Sequence, residues 1–103
     1  MKPLRSTKNI LQVYAAMLQD PGGQHYALEL SRDSRVNIGT IYAVLARLEQ
    51  HGIVTSAVED VDPSAAGRPV RRYYRFTGDG LKAARQDLAD AQRAFTIGGF
   101  ANA

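Results

Sequence analysis

The chain has 103 residues, 45% of them hydrophobic, and a formal net charge of +3. That length fits one domain with a small core, which packing against a second copy would help to stabilise. Cysteine is absent, which excludes a disulfide scaffold, a cysteine-ligated metal centre and a thiol redox switch.

Residues 6–19 carry Ile10, Leu11, Tyr14, Met17 and Leu18 at helical spacing, and Ser6 or Thr7 supplies an N-cap oxygen. Gln12 and Gln19 interrupt the segment, and no run approaches the ~18–20 apolar residues that span a bilayer. A cytoplasmic protein with no membrane partner is the expectation. Asp20-Pro21-Gly22-Gly23 stops the helix. A shorter helix fits Tyr26 to Arg32, and Asp33-Ser34-Arg35 reads as a turn.

The clearest helix runs from Asn37, a natural N-cap, to His51, with Ile41, Val44, Leu45 and Leu48 on its buried side and Gly52 at the C′ position. Gly39 in its first turn costs on the order of 1 kcal/mol relative to alanine, which makes sense where something must approach the backbone. Ile53–Val58 and Val70–Phe76 read as strands, joined through a long hairpin tip, EDVDPSAAGRP. Alternation in the second strand puts Arg72, Tyr74 and Phe76 on one face and Arg71, Tyr73 and Arg75 on the other. Thr77 then caps a last helix, with Asp79 near the positive end of its dipole. Leu81, Ala84, Leu88, Ala91 and Phe95 make a heptad-like seam along it.

The order helix, helix, helix, strand, strand, helix predicts a mainly α (α+β) winged helix-turn-helix. One domain is expected over 1–103: a winged-helix core at 6–76, a C-terminal dimerisation helix at 77–96 and a flexible tail at 97–103.

In a helix-turn-helix the second helix of the pair enters the DNA major groove. Asn37, Gly39, Thr40 and Tyr42 lie at its leading end, and Arg32 and Arg35 sit just before it, within reach of phosphates. The wing gathers Arg68, Arg71, Arg72 and Arg75 within eight residues with no acid among them. A polyanion gives a reason for that density. Arg68 near the tip, Arg71 and Arg72 at the stem, and the Tyr73 hydroxyl are the expected backbone contacts.

These residues resemble a known family. Gly39-Thr40-Ile41-Tyr42, Leu45, Arg47-Leu48-Glu49 and Gly52-Ile53-Val54, followed by Gly67-Arg68-Pro69, Arg71-Arg72-Tyr73-Tyr74-Arg75-Phe76-Thr77 and Gly80, are similar to the signature of PadR-like transcriptional regulators. Tyr26-Ala27-Leu28-Glu29-Leu30 resembles the second-helix motif, with Ala27 where glycine is usual. The resemblance runs over roughly residues 10–95. It implies a homodimeric repressor on a pseudo-palindromic operator of double-stranded DNA, released by a small aromatic or hydrophobic effector. It further implies a dimer interface built from the C-terminal helix and the first helix: Leu11, Tyr14, Leu81, Ala84, Leu88, Ala91 and Phe95. The single short C-terminal helix is similar to the family's smaller branch. With no tryptophan in the chain, an indole-sandwich pocket is not expected.

His25 and His51 are too few and too isolated for a metal site. Glu59, Asp60 and Asp62 read as solvated carboxylates of the hairpin tip, and no nucleophile, base and orienting group assemble. Neither an enzyme nor a cofactor is expected. The alternative function is a winged-helix module that docks an acidic protein partner. A pure adaptor, however, has no need of Asn37, Gly39 and Thr40 exposed together beside arginines.

Overall fold

A computed structural model describes residues 4–100, with side chains described as far as Phe95. The elements are α1 (Lys8–Met17), β1 (His25–Tyr26), α2 (Ala27–Ser34), α3 (Ile38–Gln50), β2 (Val54–Val58), α4 (Pro63–Ala66), β3 (Arg72–Phe76) and α5 (Gly78–Phe100). This is a mostly helical winged helix-turn-helix. Its sheet has the order β1-β3-β2, both pairings antiparallel.

The caps do what the sequence asks of them. The Thr7 hydroxyl accepts from the Ile10 N–H at 3.2 Å and starts α1. Asn37 Oδ1 accepts from the Gly39 N–H at 2.8 Å and starts α3. Gly52 ends α3 at φ 71°, in the left-handed region. α2 runs two residues past the predicted Arg32 and ends on Arg35, a non-glycine residue at φ 62°. The Ser34 hydroxyl accepts from the Val36 N–H at 3.1 Å, and the Ser31 hydroxyl donates to the Val36 carbonyl at 2.5 Å. These bonds hold the tight turn that sets α3 against α2.

The core lies where α1, α2 and α3 meet the inner face of the sheet. Ile10, Val13, Tyr14, Met17, Leu30, Val36, Ile41, Leu45, Leu48, Val54, Tyr74 and Ala84 form one buried cluster. Tyr74 and Phe76 share the inward face of β3, and the Phe76 ring lies 6.4 Å from that of Tyr14. The Tyr14 hydroxyl is buried and finds no hydrogen-bond partner among the described residues. Burial, with the Asp87 carboxylate adding to it, pushes its pKa up to about 12.

α5 is fastened to the end of α3 by a small lock. The Thr77 hydroxyl donates to the Gly52 carbonyl at 2.6 Å, and the Thr77 N–H donates to the Ile53 carbonyl at 3.0 Å. The same hydroxyl accepts from the Gly80 N–H at 2.9 Å. Gly80 passes so near Ile53 that a Cβ there would lie 1.8 Å from the Ile53 carbonyl oxygen. Glycine is required here for space rather than for conformation.

Four further sequence expectations change in the fold. The loop before α2 contributes a strand, β1, which pairs Tyr26 with Tyr73 and His25 with Tyr74. The hairpin tip holds a turn of helix, α4, capped by Asp62 Oδ1 on the Ser64 N–H at 3.0 Å. The expected tail is helical as far as Phe100, and residues 101–103 lie outside the described residues. Finally, Tyr14 and Ala84, expected at a partner's surface, are fully enclosed by the chain's own core. They have no surface to offer a second copy.

Candidate nucleic-acid interface

The leading end of α3 stands clear of the rest of the chain. Asn37, Ile38 and Gly39 are exposed, as are Tyr42 and Ala43 one turn on, while Thr40 is half-buried. Ile41, Val44, Leu45 and Leu48 anchor the opposite side in the core. The helix therefore presents one free face along its first two turns. Asn37 spends its side-chain oxygen on its own helix, and its carbonyl accepts from the Thr40 and Ile41 N–H groups at 2.9 and 2.8 Å.

A groove of about 790 Å³ separates α3 from the wing. Arg32 of α2, Tyr42 of α3 and Arg71 and Arg72 of the wing all line it. Thus four of the expected contact residues converge on one concavity. Asn37 and Gly39 lie at the exposed tip of α3, and Arg35 is exposed in the turn before it. Tyr73 is half-buried on the opposite face of β3 from Tyr74. Arg68 sits at the base of the hairpin tip, away from the groove.

The wing arginines are not free of acid. Glu59, at the end of the β2 side of the hairpin, reaches back across the wing. It accepts from Arg68 Nη1 and Nη2 at 2.7 and 3.1 Å. The backbone N–H of Arg71 donates to it at 3.0 Å, and Arg71 Nε lies 3.5 Å away. The Tyr26 hydroxyl completes the set at 3.1 Å. The Arg71 guanidinium also stacks over the Tyr26 ring, 4.0 Å from its centroid, which adds a cation–π attraction. The hydrogen bonds from Arg68, then those from Arg71 and Tyr26, outweigh desolvation and hold the Glu59 carboxyl at about 2. Expected to be solvated, Glu59 is instead the hub of the wing, with only 10% of its side chain exposed.

Arg72 is held differently. Its Nη1 donates to the Ser56 hydroxyl at 3.1 Å, and that hydroxyl donates to Glu49 Oε2 at 2.7 Å. This chain ties the wing stem to the last turn of α3 and sets the spacing of the two arms. Arg75 Nη2 donates to the Gly22 carbonyl at 3.4 Å. Arg32 pairs with its neighbour Asp33 at 3.0 Å, in the open, a contact that water and salt screen.

Sequence reasoning missed Leu28, Ile38 and Val70, which also line the groove. Their apolar character pointed to the core. Only the exposure of Leu28 and Ile38, at 72% and 39%, reveals that they face outward.

The family profile for the Transcriptional regulator PadR-like family matches residues 24–86, more than half of the chain and the whole of the groove and wing. The chain belongs to the PadR-like family. No curated protein matches at a comparable level. Among solved structures, a PadR family regulator from Eggerthella lenta is 22% identical, with a TM-score of 0.65, covering 92% of this chain and 82% of that one. A PadR-like regulator from Bacillus cereus is 18% identical, with a TM-score of 0.62, covering 93% and 91%. BpsR of Bordetella bronchiseptica, whose DNA binding is regulated by 6-hydroxynicotinic acid, is 15% identical, with a TM-score of 0.66, covering 92% and 67%. As a PadR-like protein the chain is a transcriptional regulator built on a DNA-binding fold. No helix among its described residues is long and apolar enough to cross a membrane.

Proposed function

We propose that this PadR-like protein is a homodimeric repressor that grips a pseudo-palindromic operator with two copies of α3 and of the wing. The observation that carries the reading is the convergence of Arg32, Tyr42, Arg71 and Arg72 on one groove beside the exposed leading end of α3. Such an arrangement suits a duplex, with α3 in the major groove and the arginines on flanking phosphates.

The dimer reading rests on α5. This helix has 23 residues, so it extends about 35 Å at 1.5 Å per residue. Among its described side chains only Ala84 joins the core cluster. Leu81, Leu88 and Ala91 are half-buried, and Phe95 is 69% exposed. A single amphipathic helix this long gains most of its stability from a partner's apolar face. With Tyr14 and Ala84 committed to the core, the interface is carried by Leu11, Leu81, Leu88, Ala91 and Phe95.

Release by a small aromatic or hydrophobic effector follows the family resemblance. BpsR, with the same fold, is regulated by an aromatic acid, and the effector of this chain is sought in that class.

The test is a binding titration with the duplex upstream of its own gene, over a range of salt, for the wild type and Leu88→Asp. The wild type should bind with a log–log salt slope near −0.9 per contacted phosphate. Leu88→Asp should be monomeric and lose operator binding, because two half-sites need two recognition helices. A flat salt response would favour docking to an acidic protein, and a dimer that survives Leu88→Asp would remove α5 from the interface.

A further inference from the structure

From Ile38 to Ala46 the exposed face of α3 is largely apolar. Ile38, Gly39, Tyr42, Ala43 and Ala46 are its exposed residues over that span, apart from the N-cap, and the exposed Arg47 follows them. Ile38 is 39% and Tyr42 56% exposed, and Leu28 of α2, at 72%, stands across the same groove. The polar side chains at this end are few, and Asn37 is held for capping. Asn37 Oδ1 accepts from the Gly39 N–H, which takes up the acceptor half of its amide, and Thr40 is half-buried. The sole basic residue of α3 is Arg47, in its last turn. Cations line the same groove from other elements, as Arg32, Arg71 and Arg72.

The strip is thus poor in the groups that read guanine or adenine by paired hydrogen bonds, and rich in methyl and methylene surface. One base-edge feature of the major groove suits such a surface, the C5-methyl of thymine. The flanking cations match the phosphates on either side of it. The geometry points to thymine methyl groups as the feature this chain reads, with Ile38 and Tyr42 as the main specificity residues and Leu28 closing over the edge of the same groove. The inference rests on the DNA-binding reading above and deepens it. Arginine supplies position, and apolar contact supplies discrimination.

The test begins with duplexes selected from a random pool by the full-length wild-type protein. Each thymine of the selected half-site is then replaced in turn by deoxyuridine, which removes one methyl and nothing else. At one or two thymines the loss should weaken binding about three- to fivefold, the scale of one buried methyl. For Ile38→Ala the same replacement at the facing thymine should cost little, since the contact has already gone. Ile38 is exposed at the start of its helix, so this variant keeps its core.

Tight binding that ignores uridine at every position, or a selected site with no thymine, overturns the inference and leaves DNA binding standing. Retention of no duplex at all overturns both. Self-association through the α3 strip, lost in Ile38→Ser, would assign the strip to a second copy and overturn it as well.

Discussion

Glu59 and Arg68 meet as a two-pronged pair across the base of the wing, Nη1 to Oε1 at 2.7 Å and Nη2 to Oε2 at 3.1 Å. A carboxylate in that position offers the arginine what a phosphate would offer it. With Arg71 drawn to the same group, two of the four wing arginines are part-neutralised before DNA arrives. Glu59→Gln should therefore raise affinity for any duplex, operator or random, and steepen the salt slope by about 0.9 for each arginine that gains a phosphate. Titrations at several salt concentrations measure this. A weaker, shallower response would mean that Glu59 positions the arginines rather than withholds them.

The same carboxylate sets a pH dependence. Its folded value of about 2 lies below the ordinary glutamate value of 4.5. A depressed carboxyl contributes stability that is fully present above the unfolded value and is lost as pH falls through the folded one. Thermal unfolding of the wild type and Glu59→Gln should therefore differ most above about pH 5, with the gap closing between about pH 4.5 and pH 2. A gap constant over that range would mean that the hub does not hold in solution.

Gly80→Ala tests the lock on α5. The added Cβ would fall 1.8 Å from the Ile53 carbonyl oxygen, a backbone atom that no rotamer change can move aside. Overpacking of this kind costs about 1–3 kcal/mol, so denaturant unfolding should show a lower midpoint with an unchanged slope. Gly22→Ala, where a Cβ meets nothing within 4 Å, should leave the midpoint in place and serves as the control.

Tyr14→Phe removes a hydroxyl that is buried without a hydrogen bond among the described residues. An unsatisfied buried polar group costs about 1–3 kcal/mol, so the variant should be at least as stable as the wild type by thermal unfolding. A clear loss of stability would show that the hydroxyl is hydrogen-bonded in solution.

Much of this molecule was legible in its sequence, because its signals are local. Thr7 and Asn37 are cap residues where caps are needed, Gly52 is a C′ glycine, and the Ile41–Leu48 stripe has one period. What escaped depends on contacts distant in sequence. β1 is two residues long, too short for any alternation to register, and exists only because β3 lies alongside it. Glu59 looked like a solvated loop acid because its partners, nine and twelve residues on and thirty-three residues back, meet it only once the hairpin closes. Ala84 fits a seam by spacing and Tyr14 a helical stripe whose interface role came from the resemblance, but spacing does not say whether a stripe faces its own core or another chain. Ile38 and Leu28 were hidden for the opposite reason: apolar residues in helices are usually inward.

The account stands on α3 and the wing meeting duplex DNA together. Backbone amide shift mapping of the protein titrated with its own upstream duplex addresses that most directly. The account predicts that the large changes fall in residues 37–47 and 68–75, with the core of α1 unmoved. Changes confined to α1 and α5, with the leading end of α3 silent, would contradict it.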